Sequence, residues 1–147
     1  MQVYGPNALL CQTLMSHNAN KTAAVTGGAS GIRRAFVEHL QLANWTVCVL
    51  DENRAGLDAL SLRNVSTFVC DVTDLGQIEA TIEGIRTQYG AIDRLIHCAA
   101  IMPAGKLAAM NAATINHLAS VNYGGTVNVV QTVLAGMGET RTGATPW

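Results

Sequence analysis

The chain has 147 residues, 49% of them apolar and only 13% charged, with a formal net charge of −1. That length suits a single domain, able to bury about 70% of the surface its unfolded chain exposes, and the composition is too apolar for a disordered polypeptide. Lys and Arg form no stripe and no run of 18 apolar residues occurs, so neither nucleic acid nor a membrane is expected as a partner.

The first 20 residues, MQVYGPNALLCQTLMSHNAN, contain no Lys or Arg and lack the basic start of a secretory signal. They are expected to be a loosely ordered extension, with Met15 a candidate natural start. The first predicted strand is Thr22–Thr26, which runs into the glycines Gly27, Gly28 and Gly31. From Ile32, apolar residues recur at Phe36, Val37 and Leu40, one face of a helix. The second strand, Thr46–Asp51, is nearly all apolar and ends on an acid, the pattern of a parallel strand covered on both faces. A short helix is expected around Arg54–Leu60, then a third strand at about Thr67–Cys70, followed by Asp71.

Ile78, Ile82, Ile85 and Tyr89 give the clearest amphipathic helix, beginning near Leu75 and capped by Gly90. A fourth strand is expected at about Leu95–Cys98. A loop with Pro103 and Gly105 precedes a helical region from about Ala112, whose later part aligns Val127, Val130, Leu134 and Met137. The domain is expected to span residues 21–138, with 139–147 a frayed tail. Four alternations of strand and helix predict right-handed parallel βαβ units. Ligands of such sheets bind at the carboxyl ends of the strands. Gly27, Asp51, Asp71 and His97–Ala100 all fall there.

Cys11, Cys48, Cys70 and Cys98 form no C-x-x-C pair, and three of them sit in strand-like runs. They read as reduced core thiols in a cytoplasmic protein. His17, His39, His97 and His117 have no ligand-like spacing with each other or with the cysteines, so no metal site is expected. His97 ends an apolar strand and reads as a hydrogen-bonded buried histidine before it reads as a catalytic base. Met102 and Met110 read as gap-filling apolar contacts.

The stretch KTAAVTGGASGIRRAF, residues 21–36, carries the main functional signal. Glycines between a strand and a helix let backbone N–H groups approach a pyrophosphate, and the helix N-terminus adds a partial positive charge. The ordinary alternative is a tight turn. Asp51 lies 24 residues beyond Gly27. A carboxylate there can accept hydrogen bonds from a ribose diol and repel a 2′-phosphate, which favours NAD over NADP. Its alternative is a solvated acid at a strand end, and Arg34 and Arg54 stand close enough in sequence to oppose the preference.

With these motifs in place, the chain resembles the N-terminal, cofactor-binding part of a short-chain dehydrogenase/reductase. TGGASGI at 26–32 matches that family's Thr-Gly-x-x-x-Gly-x-Gly loop up to its last glycine. DVTD at 71–74 matches the Asp-Val pair that holds adenine in the family. HCAA at 97–100 stands where the family has Asn-Asn-Ala-Gly, and only Ala99 agrees. VNYGGTVNVVQTVLAGM at 121–137 resembles the helix that carries the family's proton-relay asparagine, which maps to Asn122.

The resemblance covers residues 21–137. It implies a truncated Rossmann-type doubly wound α/β sheet of about four strands, in the order 3-2-1-4, with helices on both faces. It further implies a dinucleotide contacted by Thr26, Gly27, Ser30, Gly31, Ile32, Asp51, Asp71, Val72, Cys98, Ala99 and Ala100. The activity implied is NAD-dependent oxidoreduction of an alcohol or carbonyl.

The departures are equally specific. The family's catalytic Tyr-x-x-x-Lys pair is absent: four residues after Tyr4, Tyr89 and Tyr123 stand Ala8, Asp93 and Val127. Without that pair Asn122 has nothing to relay to, and a vestigial or helix-capping role is the alternative. Arg33 replaces the last glycine of the loop, and Ala100 replaces another, so weakened cofactor binding is expected. Three readings follow: the inactive NAD-binding portion of an oxidoreductase, a non-enzymatic interaction protein, or a truncated gene product. Self-association is expected through residues 124–137 or the edge of the strand 95–98.

Overall fold

The computed structural model describes residues 21–29 and 31–137, and the side chains of all but residues 32, 33 and 107 among them. The expectations for residues 1–20 and the tail 139–147, and the role given to Ser30, lie outside the described residues. Within them, four strands form one parallel sheet: β1 (Thr22–Thr26), β2 (Thr46–Asp51), β3 (Val65–Val69) and β4 (Ile92–His97), in the order β3-β2-β1-β4. The helices are α1 (Ile32–Leu42), α2 (Arg54–Asp58), α3 (Leu75–Tyr89), α4 (Ala112–Ala119) and α5 (Gly125–Met137). A single π-helical turn, Ser120–Gly124, joins the last two.

The two-residue period of a strand sends alternate side chains to opposite faces, and here both faces are covered. Ala23 and Val25 of β1 and Val47 and Val49 of β2 pack with Val37 and Leu40 of α1 and Leu57 of α2. Ala24, Cys48 and Leu50 point the other way, onto Ile78, Ile82 and Ile85 of α3 and Val129 and Val133 of α5. Each isoleucine of α3 is at most 2% exposed, and burying such a side chain stabilises the fold by about 1.5–3 kcal/mol. The fold is therefore the doubly wound α/β arrangement, with β1 central between β2 and β4. The chain reverses direction across the sheet at β1, and a crevice opens there at the carboxyl ends.

The amino edge is closed by local contacts. Thr22 N donates to Asp93 Oδ2 at 2.8 Å, and Thr22 Oγ1 donates to the Tyr89 carbonyl at 3.1 Å. Two cations approach the Trp45 ring, Lys21 Nζ at 5.7 Å and Arg94 Cζ at 4.8 Å from its centre.

Three expectations need correction. β3 and β4 begin earlier than expected and end one residue sooner, at Val65–Val69 and Ile92–His97. Their starts include Ser66 and Arg94, polar residues held by pairing with β2 and β1 rather than by burial, and Asp93, which stands at a register shift and accepts from Thr22 N. Phe36, placed on the inner face of α1, is 45% exposed.

The buried face of α5 is not the one that aligns Val127, Val130 and Leu134, although Met137 does pack against the core. That face is Gly125, Val129, Val133 and Gly136, and Leu134 is 57% exposed. Glycine contributes nothing to a hydrophobic pattern, yet it is what lets this helix approach. A Cβ on Gly125 would stand 2.6 Å from Val72 Cγ2, and one on Gly136 would stand 2.5 Å from the Arg86 guanidinium carbon.

Candidate functional site

The carboxyl ends of the strands carry the site. Gly27 leaves β1 with φ +68, and its N–H donates to the Leu50 carbonyl at 2.7 Å, which bends the chain over β2. Gly28 must be glycine for a packing reason, since a Cβ there would come within 2.8 Å of Val49 Cγ1. Gly31 takes φ +61 at the N-cap of α1 with open space where a side chain would stand. No side chain caps α1, and its first turn has no acid. Arg34 N donates to the Gly31 carbonyl at 3.2 Å, and a helix start without a capping acid favours an anion.

Asp51 ends β2 directly beneath this loop. Its Oδ2 accepts from Ala29 N at 3.0 Å and its Oδ1 from Asn53 N at 3.0 Å. One carboxylate so fixes both the glycine turn and the start of α2, and each oxygen keeps a further lone pair for a ligand. Arg34 is engaged along its own helix with Glu38 at 3.1 Å.

After β3, Asp71 Oδ1 accepts from both the N–H and the hydroxyl of Thr73, each at 2.8 Å. Its own N–H donates to Gln77 Oε1 at 3.2 Å. Val72 is buried, and its carbonyl accepts from Asn128 of α5 at 3.2 Å.

The end of β4 is tied to β1 by one hydroxyl. Thr26 is fully buried, and its Oγ1 accepts from Cys98 N at 3.1 Å and Ala99 N at 3.3 Å. The same oxygen lies 2.8 Å from His97 Nδ1, and His97 Nε2 lies 3.0 Å from Thr126 Oγ1. Both ring nitrogens of this half-buried histidine are therefore partnered, and partial burial holds the imidazole pKa below its usual value. Asn122 sits within the π-helical turn and brackets the backbone of Ile101. Its Oδ1 accepts from Ile101 N and its Nδ2 donates to Ile101 O, both at 2.9 Å.

Between these elements opens a pocket at the carboxyl edge of the sheet. Of the residues singled out in the sequence, Gly27, Asp51, Asp71, Val72, Ala99 and Ala100 line it. Thr26 lies under the floor rather than in the lining, and Gly31 stands at the α1 cap. Cys98 and Asn122 are outside the lining: Cys98 bonds Thr26 beneath it, and Asn122 holds the lining residue Ile101. The side chains of Ile32 and Arg33 lie outside what is described.

Sequence reasoning did not single out Leu50, Glu52, Cys70, Ile101 and Val121, which complete the wall. Glu52 was discoverable from its position next to Asp51 at the end of a strand. The apolar members carry no signal beyond lying at the ends of elements. The rim is acidic, with Asp51, Glu52 and Asp71 around one mouth. Such a mouth accepts hydrogen bonds from hydroxyl and amino groups.

The sequence pattern of the short chain dehydrogenases matches residues 21–145. The chain is 32% identical over 130 residues to the 3-oxoacyl-acyl-carrier-protein reductase of Thermotoga maritima, covering 84% of this chain and 53% of that protein. It is 29% identical over 121 residues to the sorbitol dehydrogenase of Cereibacter sphaeroides, covering 80% of this chain and 47% of that one. The ligand-free aldohexose dehydrogenase of Thermoplasma acidophilum superposes with a TM-score of 0.76 at 27% identity, over 86% of this chain and 48% of that structure. The chain thus spans about half the length of the curated relatives it matches.

Proposed function

Because the chain belongs to the short-chain dehydrogenase/reductase family, we propose that it forms the dinucleotide-binding portion of an oxidoreductase. By this reading it binds NAD in preference to NADP, at a cytoplasmic location, in the service of alcohol or carbonyl chemistry. The observation that carries the reading is the placement of Asp51. Its carboxylate lies under the glycine turn and opens on the same pocket as Gly27, Asp71 and Val72.

In this reading Gly27, Ser30, Gly31 and Ile32, with the leading N–H groups of α1, receive the pyrophosphate. Asp51 accepts from the adenosine ribose, and Asp71 and Val72 flank adenine. Ala99 and Ala100 face the nicotinamide half, and Thr26 and Cys98 hold them in place. The bound dinucleotide supplies the hydride acceptor or donor. Binding, orientation and exclusion of water fall to the chain. The acidic mouth supports NAD, because a 2′-phosphate there would meet like charge at short range.

A second reading, binding without turnover, is favoured by the tyrosines. Tyr89 lies at the amino edge, where its hydroxyl is 2.6 Å from Ser66 Oγ, and Tyr123 is 76% exposed. Neither is followed four residues later by lysine, so among the described residues no phenol is paired with a lysine for general acid–base work.

Calorimetry with NAD(H) and NADP(H) tests the proposal. NAD(H) is expected to bind more tightly, and Asp51→Asn to weaken it by about 1–3 kcal/mol, the worth of a charge-assisted hydrogen bond. Equal or tighter NADP(H) binding would exclude the assigned role of Asp51. Steady-state NADH absorbance with alcohols, sugars and hydroxysteroids is expected to stay at background. Sustained turnover would defeat the second reading.

A further inference from the structure

We propose that His97 is a positioning residue of the dinucleotide pocket. It is held as the neutral Nε2–H tautomer between Thr26 and Thr126, and its protonation loosens the wall formed by Ala99–Ile101. The link to dinucleotide binding rests on the function proposed above; the tautomer and its effect on the wall do not.

The tautomer follows from counting donors. A threonine hydroxyl has one hydrogen to give and two lone pairs to receive with. Thr26 Oγ1 receives Cys98 N and Ala99 N at 3.1 and 3.3 Å. Its hydrogen is then directed to the remaining neighbour, His97 Nδ1 at 2.8 Å, which must be the unprotonated nitrogen. On the other side, Thr126 Oγ1 donates to the Asn122 carbonyl at 2.6 Å. It can therefore only accept from His97 Nε2 at 3.0 Å, so the ring hydrogen sits on Nε2. One arrangement satisfies all five contacts.

The imidazolium breaks this arrangement. A hydrogen on Nδ1 would point at a hydroxyl whose lone pairs are taken, and the Thr26 hydrogen would lose its acceptor. Relief requires an N–H to let go. Cys98 N has a second acceptor in the Thr26 carbonyl at 3.2 Å, so Ala99 N, which lines the pocket wall, has the most to lose.

No opposite charge compensates. β1 (Thr22–Thr26) and α5 (Gly125–Met137), which pack against the ring, contain no charged residue. The titratable neighbours along the chain are Cys98 next to it in sequence and Tyr123 in the π-helical turn. Burial lowers the imidazole pKa, in the direction expected for a ring kept neutral.

The same network links distant segments. His97 joins β1 to α5 through hydroxyls 71 residues before and 29 residues after it. Through Asn122 the chain of contacts reaches Ile101, which also lines the pocket.

The test is a histidine titration of the whole chain by nitrogen-15 NMR, with amide exchange followed over the same pH range. The expected result is an Nε2–H tautomer at neutral pH and a His97 pKa below that of an exposed histidine. Exchange at Ala99, corrected for its intrinsic pH dependence, should quicken about tenfold as the ring protonates, the size of one lost net hydrogen bond. In His97→Asn that acid-induced step should vanish, and Thr126→Val, with its acceptor gone, should shift the Nε2 resonance. An Nδ1–H tautomer, or an Ala99 amide whose protection ignores the titration, would overturn the proposal. NAD affinity measured across the same range should fall with the His97 titration in the wild-type chain and stay level in His97→Asn. An absence of NAD binding at every pH would refute the dinucleotide reading and leave the NMR result to decide the role of His97 in the wall.

Discussion

Asn122 and Ile101 form a reciprocal pair: the side-chain amide of one gives and takes a hydrogen bond, both at 2.9 Å, with the peptide groups of the other. The π-helical turn Ser120–Gly124 makes this possible by placing Asn122 off the regular helical register. The asparagine thereby acts as a clasp between the end of β4 and the start of α5. Asn122→Ala should remove both bonds and cost about 1–3 kcal/mol in stability. Urea denaturation would read the loss, and exchange at the Ile101 amide should rise with it. Asn122→Asp should be nearly as harmful, because a carboxylate cannot donate to the Ile101 carbonyl. An unchanged midpoint in both variants would mean that water replaces the clasp at no cost.

Gly125 and Gly84 separate the two effects of glycine in a helix. Replacing either by alanine gains about 0.8–1.0 kcal/mol in helix propensity. At Gly84, in α3, the new methyl meets nothing within 4 Å, so Gly84→Ala should be stabilising. At Gly125 the methyl would stand 2.6 Å from Val72 Cγ2, 3.0 Å from its Cβ and 3.4 Å from its carbonyl oxygen. Overpacking of that kind costs about 1–3 kcal/mol, so Gly125→Ala should be destabilising despite the propensity gain. It should also displace Val72 from the pocket wall. Thermal melts of the two variants are expected to move in opposite directions.

These glycines also mark where the sequence is hard to read. β1, β2 and α3 are legible because their apolar residues follow the strand or helix period with few interruptions, and Asp51 is legible because it ends such a run. The inner face of α5 is not, because two of its four buried positions are glycine and offer proximity in place of hydrophobicity. The starts of β3 and β4 are hidden by Ser66 and Arg94, which are strand residues only because a ladder partner exists, and by Asp93 at a register shift. The glycine turn and its acid announce a site. The arrangement of His97 between Thr26 and Thr126 announces nothing, since no local pattern joins hydroxyls so far apart in the chain.

The cysteines differ in reach. Burial pushes the Cys48 thiol up to about 12 from an ordinary value of 9.0, and burial also raises Cys70. Cys98, at the end of β4, is half-buried. A thiol reagent at pH 8 should therefore modify Cys98 in the folded chain and reach Cys48 and Cys70 only after denaturant is added. Mass mapping of the labelled chain would show the order. The shift at Cys48 also has a sign for stability. Above pH 9 the unfolded thiol gives up its proton while the folded one keeps it to about 12. The folded state then holds more protons, and stability should fall as pH rises through that window. Rapid labelling of Cys48 in the folded chain would mean that the sheet opens locally.

β4 pairs with β1 on one side and has no strand on the other among the described residues. Leu95, Ile96 and His97 of this strand are each half-buried. An unpaired edge of this kind recruits another strand unless charge or proline blunts it, and here Asp93 and Arg94 sit only at its beginning. The outer face of α5 adds a second surface, with Leu134 exposed. We therefore expect the 147-residue chain to form dimers or larger species, which sedimentation at several concentrations would reveal. Leu134→Glu distinguishes the two surfaces: it should disperse an assembly held by α5 and leave one held by the β4 edge intact. Amide exchange gives the complementary reading, because edge pairing should slow exchange at Leu95–His97 as concentration rises. A monomer at every concentration, with those amides already protected, would show that the edge is covered within the chain itself.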